Sequence, residues 1–283
     1  MRTYFIQFSL FFFMVSHNSV NAQVILSSSN LPIIVIDTHG QVIPNEPKIE
    51  ADMGIIYNGP GNRNFITDPY NHYNGQIGIE IRGSSAQTFP KKQYAIETRD
   101  STGNNLNVSL LGMPEENDWI LYAPYSDKSL IRNVLAYKMS NDIGRYTSRT
   151  SFCEVVLNGD YIGLYVLMEK IKRDRNRVKI KKMLPTYTSG DLLTGGYIIK
   201  IDKMEGSNIQ GWYSNFPPYP GAWQQIYYQY HYPDPDEIVP EQESYIQNFI
   251  YQFEYIMDQG TYTDPFSGTM TLLISIHSQI ISS

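Results

Sequence analysis

A single cysteine, Cys153, excludes a disulfide framework and any multi-cysteine zinc site within these 283 residues. Positive charge is not in excess either. The 22 Lys and Arg against 28 Asp and Glu leave a net charge of −6, a poor match for general contact with nucleic-acid phosphates. After the N-terminal stretch no apolar run approaches the ~18 residues that suggest a membrane-spanning helix. The common catalytic signatures are missing as well: no Gly-x-Ser-x-Gly elbow, no His-Glu-x-x-His pair and no Walker A loop. The five histidines (His17, His39, His72, His231, His277) show no ligand spacing, and all but His17, which falls in the N-terminal stretch, read as surface or loop residues. Tyrosine is abundant, with 23 residues. Its apolar ring and hydroxyl suit half-wet surfaces and ligand grooves as well as cores.

The N-terminus has the layout of a secretory signal. Arg2 is followed by an apolar run over 4–15, and Ser19-Val20-Asn21-Ala22 places small residues ahead of a cleavage point before Gln23. The expectation is a signal peptide over 1–22. The mature chain is then secreted, periplasmic or at the cell surface, with no transmembrane segment. Cys153 lies in an apolar run without a partner cysteine, so it reads as a buried, inert thiol.

Strand patterns dominate the first hundred mature residues. The β-branched run 31–37 and the segment 48–57 read as strands, and the Gly/Asn/Pro-rich stretch 58–74 as a long loop. Ile77, Ile79 and Ile81 alternate with Gly78, Glu80 and Arg82, the period of a half-buried strand. Residues 94–98 resume the extended pattern, and 119–122 read as a short strand or helix lead-in. A helix is predicted over about 127–143, capped by Ser126, with Leu130, Ile131, Val134, Leu135, Tyr137 and Met139 at near-helical spacing. Asn158-Gly159 between two β-rich runs predicts a hairpin over 152–168 with a type I′ turn. The stretch 169–182 carries eight Lys/Arg against Glu169 and Asp174, and reads as a solvated strand-and-turn face or a docking run for an acidic substrate. Another strand follows Gly195-Gly196. Residues 212–232 hold nine aromatics among prolines and glycines. A final amphipathic helix is predicted over 241–258, with Ile246, Phe249, Ile250, Phe253, Ile256 and Met257 on one stripe.

One segment suggests phosphate chemistry. Ile81-Arg82-Gly83-Ser84-Ser85 leads from a strand into a small-residue loop, and Phe89-Pro90-Lys91-Lys92-Gln93-Tyr94 follows. Small residues let backbone N–H groups approach a phosphate, and a nearby lysine neutralises its charge. Further blocks follow in order: Leu110-Leu111-Gly112-Met113-Pro114, Asp118-Trp119-x-Leu121-Tyr122-Ala123-Pro124-Tyr125-x-Asp127-Lys128, Leu130-x-Arg132-Asn133, Leu157-Asn158-Gly159-x-Tyr161-x-Gly163-Leu164-Tyr165, Glu169-Lys170-Ile171 and Gly195-Gly196-Tyr197-Ile198. Their shared order over 77–202 resembles the CotH kinase family, named for spore coat protein H.

The resemblance implies an α+β chain with an atypical protein-kinase-like fold: a β-rich N-lobe, one packed helix and a more helical C-lobe, incomplete here. It also implies Mg-ATP as cofactor and protein substrates phosphorylated on Ser/Thr. On that basis Arg82, Gly83, Ser84 and Ser85 cover the phosphates, and Lys91 or Lys92 contacts them. Alternation puts Lys92 on the face of Tyr94 and Ile96 and favours it. Met168, Glu169 and Lys170 lie at the hinge beside adenine. Asp127 or Asp118 is the acidic partner of the lysine, unless each is a helix-start or loop carboxylate. Arg132 either contacts phosphate or pairs structurally.

The family's catalytic and metal carboxylates lie beyond the helix that matches 241–258. The last carboxylate here is Asp264. No residue is therefore matched to a catalytic or metal role, and the expectation is that this chain alone is inactive. The domain expectation is a β-rich segment over 23–76, an incomplete kinase-like domain over 77–268 and an aberrant tail over 269–283 that reads as a shifted frame. The competing expectation is a surface-binding or adhesion module that uses the aromatics of 212–232 against a cell-surface glycan or protein.

Overall fold

A computed structural model describes residues 24–204, 209–264 and Gly268. The expected signal peptide and the 269–283 tail lie outside the described residues.

Alternating isoleucines set the architecture. Strands β1 (Ser28–Ser29), β2 (Ile33–Asp37), β3 (Ile49–Ile56), β4 (Asn64–Phe65), β5 (Tyr73–Arg82), β6 (Gln93–Arg99), β7 (Asp118–Tyr122), β8 (Thr150–Leu157) and β9 (Asp160–Glu169) occupy the first 170 residues. Seven of them close a barrel in the order β2-β3-β5-β6-β7-β9-β8, while β1 and β4 form a separate pair. All barrel neighbours are antiparallel except β2 and β8, which run parallel with Ile33 opposite Glu154 and Ile36 opposite Leu157. Period-2 residues fill the interior: Ile34, Met53, Ile77, Ile79, Ile96, Trp119 and Tyr165 are at most 1% exposed. Each such side chain removed from water stabilises the fold by about 1.5–3 kcal/mol. Cys153 is among them, and burial pushes its thiol up to about 12, consistent with an inert packing role.

The hairpin of β8 and β9 turns at Asn158 and Gly159, both at positive φ (52° and 85°), as a type I′ turn requires. Several sequence expectations change. The β-rich part is a closed seven-strand barrel, to which strands before and after residue 76 contribute. Helix α1 is Arg132–Asp142, shorter than 127–143. Ser126 does not cap it. Instead the Asp127 carboxylate accepts from the backbone N–H groups of Ser129 and Arg132 (3.0 and 2.9 Å), holding a turn ahead of the helix. Of its apolar residues, Val134 and Tyr137 pack on Ile120, Val166 and Met168 outside the barrel. Leu135, Met139 and Ile143 are exposed.

A second layer follows. Helix α2 is Gly190–Leu193. Strands β10 (Ile198–Ile201), β11 (Gly211–Tyr213) and β12 (Tyr227–Tyr232) form a sheet in the order β10-β12-β11. Helix α3, Pro240–Asp258, matches its expected span. The aromatic stretch is packed only in part: Tyr213, Tyr219 and Trp223 are exposed, while other rings join the sheet to α3. Trp212 packs on Tyr228 and Tyr230 with ring centroids 5.3 Å away in each case. Ser214 Oγ and Tyr228 OH donate to Glu254 of α3 at 2.6 and 2.9 Å. Ile246 of α3 is buried, whereas Phe253 and Met257 further along the helix are exposed.

The basic stretch 169–182 is a solvated face only in part: Arg175, Lys179, Lys181 and Lys182 are exposed, whereas Arg177 is drawn into the barrel end. Its Arg177 is 3% exposed, lies 3.2 Å from Glu116 and stacks 5.2 Å over the Trp119 ring. Glu169 is fully buried, 3.0 Å from Arg149 and 3.8 Å from Arg177. Lys172 pairs with Asp118 at 2.7 Å. The reason is register: Glu169 continues the inward-facing row of Tyr165 and Leu167, so its charge arrives inside the barrel end and must be partnered. Two histidines also have structural duties. His72 Nε2 accepts from the Leu111 N–H at 2.7 Å, and His231 Nε2 sits 2.9 Å from the Ile171 carbonyl.

Glu169→Ala takes the carboxylate from Arg149 and leaves Arg177 with Glu116 as its one ion-pair partner among the described residues. It is expected to cost on the order of 3 kcal/mol, read by urea unfolding; a loss below about 0.5 kcal/mol contradicts this. Burial alone raises the Asp118 carboxyl, but Lys170 and Lys172 outweigh it and hold it below the ordinary 3.8. Its depressed folded value adds stability at neutral pH that disappears as pH falls below 3.8. Asp118→Asn therefore melts lower than wild type at pH 7, and the gap narrows with acidification through that range. A gap that does not vary with pH counts against the ion-pair assignment.

Candidate functional site

The loop after β5 opens onto a cavity of about 390 Å³, within the size range of small-molecule sites. From the barrel come Glu80, Arg82, Gly83, Ser84, Gln87 and Gln93, with Asn45 and Glu46 beside them. Asp202 and Lys203 come from the segment after β10. The barrel wall is the outward-facing row, because Ile77 and Ile79 take the inward one. The cavity is thus a cleft between the barrel and the small sheet.

Local geometry fixes the loop. Gly83 has φ 91°, a backbone region that L side chains rarely adopt, and a Cβ there would meet the Ala86 Cβ at 3.1 Å. A 3-10 turn, Ser85–Thr88, follows. The Gln87 amide donates to Asn45 Oδ1 at 2.6 Å and to the Gly83 carbonyl, tying the turn down. On the opposite wall the Gln229 amide, 2% exposed, donates to the carbonyls of Asp202 (2.7 Å) and Lys203 (3.2 Å). Lys203 Nζ then reaches across to Ser85 Oγ at 3.0 Å. Burial pushes the Arg82 guanidinium down, while Tyr137, Asp202 and Glu80 oppose that shift. It stays charged at neutral pH.

The expected site residues separate into three places. Arg82, Gly83, Ser84 and Ser85 gather at this cleft. Neither neighbouring lysine lines the cavity. Lys92 Nζ donates to the Gln87 carbonyl at 2.6 Å, which anchors it to the same turn. Lys91 Nζ donates to the Leu164 carbonyl at 2.5 Å and sits 4.6 Å over the Tyr165 ring. Burial lowers the Lys91 ammonium, against Glu154 and Cys153. Neither Asp127 nor Asp118 pairs with these lysines: Asp127 lies 3.5 Å from Arg132, and Asp118 pairs with Lys170 and Lys172. Arg132 lies beside Asp127 and is not among the residues that line the cavity.

Met168, Glu169 and Lys170 lie elsewhere on the barrel. Met168 packs under α1. The Glu169 N–H donates to the Arg149 carbonyl at 3.2 Å, and the Lys170 carbonyl accepts from Arg177 at 2.8 Å. Lys170 lines a separate pocket of about 190 Å³ with Asp118, Lys172 and His231.

Sequence reading missed Glu80, Gln87, Gln93, Asp202 and Lys203 as site residues. The signal that existed was Asp202-Lys203 directly after a strand introduced by Gly195-Gly196. Their meeting with Gly83, over a hundred residues upstream, is tertiary.

The donor set fits a magnesium-bound polyphosphate. Arg82 and Lys203 line the cavity together with Asp202 and with Glu80, whose carboxylate also pairs with Lys48 at 3.4 Å. Magnesium in such sites is commonly held by one or two carboxylates together with phosphate oxygens. A family model described as CotH kinase protein matches residues 79–267, most of the chain. No curated protein matches it. The matched span contains the Gly83 loop, the barrel wall from β6 to β9, the Asp202-Lys203 pair and α3, so both walls of the cleft fall inside it. The chain belongs to the CotH kinase family.

Proposed function

We propose that this protein is a secreted kinase-like protein that holds Mg-ATP between the barrel and the small sheet, in a family whose reaction transfers the terminal phosphate to Ser/Thr hydroxyls of protein substrates. The barrel takes the part of the β-rich lobe, and the sheet with α3 begins the second. The observation that carries this reading is the cleft itself. It has Arg82, Gly83 and Ser84 on one wall and Asp202-Lys203 on the other, with Ser85 joined to Lys203 beside them.

In this reading Arg82 supplies a planar, permanently charged fork for phosphate oxygens. Gly83 lets the backbone come close to them. Glu80 and Asp202 would hold the magnesium, which when bound neutralises phosphate charge. Gln87 and Lys92 orient the loop through the Gly83 and Gln87 carbonyls. No described residue is assigned as catalytic. Trp212, Phe216, Tyr228 and Tyr230 help to pack β11, β12 and α3 together, whereas Tyr213, Tyr219 and Trp223 are exposed.

Mg-ATP is expected to raise the melting temperature of the full chain. At a concentration 100-fold above Kd the stabilisation is about 2.7 kcal/mol. Arg82→Ala should remove most of the shift. No shift with millimolar Mg-ATP overturns the reading. Secretion is tested separately: expression with the native leader should yield a product whose first residue is Gln23, by N-terminal sequencing. A product retaining Arg2 contradicts it.

A further inference from the structure

We propose that Lys203 is a phosphate ligand supplied from the small sheet, so that a bound polyphosphate ties the two walls of the cleft together. The proposal rests on the nucleotide reading above and extends it to a residue outside the Gly83 loop.

Three observations carry it. The first is reach. Lys203 Nζ lies 3.0 Å from Ser85 Oγ, so the ammonium already stands over the loop whose backbone faces the cavity. A phosphate oxygen on that loop falls within hydrogen-bond distance of the same nitrogen. The second is anchoring. The Lys203 carbonyl accepts from the buried Gln229 amide of β12, and its N–H donates to Asp202 Oδ1 at 2.8 Å. The backbone is held from within the small sheet, and only the flexible stem is left to adjust. The third is charge. Among the described residues the polar partner of the ammonium is a neutral hydroxyl, and no carboxylate lies within ion-pairing distance. Asp202 directs its Oδ1 to the Lys203 N–H instead. An ammonium with no countercharge among the described residues, beside a small-residue loop, favours an anion over a neutral ligand.

Arg82 and Lys203 then act from opposite walls and differ in kind. Arg82 is a rigid fork with a fixed direction. Lys203 is a point charge on a four-carbon stem. A chain of phosphates long enough to touch both walls gains both contacts, and a single phosphate held by Arg82 and the loop gains one. The dependence on Lys203 should therefore grow with the number of phosphates. Binding should also couple β10 and β12 to the barrel, because Lys203 is fixed to β12 through Gln229.

The test is calorimetric titration of the full chain with Mg-ATP, AMP and tripolyphosphate, in wild type and Lys203→Met. Lys203 is exposed, so the variant should melt within a degree of wild type; Lys203→Arg, which keeps the charge, is the companion variant. The expected result is at least tenfold weaker Mg-ATP and tripolyphosphate binding in Lys203→Met, AMP affinity within twofold, and substantial recovery in Lys203→Arg. If wild type binds Mg-ATP and Lys203→Met binds it equally well, the proposal is overturned while the nucleotide reading stands. If wild type binds tripolyphosphate through Lys203 but shows no preference for ATP, the nucleotide reading fails and the phosphate ligand stands. If wild type binds neither, both fall.

Discussion

The parallel pairing of β2 with β8 is the constraint from which the rest of the molecule follows. Without it the seven strands form an open sheet with two unpaired edges, a liability that closure removes. With it, one row of each strand must fill a closed interior, and the isoleucines at 34, 36, 77, 79 and 96 do so. The outward rows are then the surface on which function can be built. They carry α1 against Val166 and Met168, and the cleft with Glu80, Arg82 and Gln93.

Closure also creates an electrostatic demand. The inward row of β9 ends at Glu169, so a carboxylate enters the barrel end and cannot reach water. Arg177 and Arg149 answer it, and Arg177 in turn covers Trp119 and pairs with Glu116. Asp118 and Lys172 extend the network to the surface. A run of basic residues that reads in isolation as a solvated strip is therefore partly a plug. Guanidinium suits that duty because its planar face lies on the indole while its edge makes ion pairs.

The cleft shows the same economy. One wall is a strand end, where Gly83 breaks the extended pattern with a positive φ. The other is the end of β10, held by a buried glutamine of the adjacent strand. Neither wall by itself brings together the groups that a polyphosphate needs. Their apposition sets Arg82, Glu80, Asp202 and Lys203 around one volume. The link between them, Lys203 to Ser85, makes the relation of barrel and small sheet part of the site itself.

Local chemistry was legible in the residues. The Asn158-Gly159 hairpin, the alternation at Ile77 to Ile81, the stripe of α3 and the buried state of Cys153 all follow from backbone preference and side-chain period, which are short-range. The ordered blocks from Ile81 to Ile198 marked the family for the same reason, since they are contiguous motifs. Helix α1 was overextended because its apolar spacing does not say which residues find a partner, and Asp127 displaced Ser126 through a turn that propensity does not encode. What the tertiary structure alone decided is what meets across the chain: β2 with β8, Glu169 with Arg177, and Lys203 with the Gly83 loop. Such pairings depend on closing loops of eight to about 120 residues around a shared core, and no local pattern specifies which ends will meet.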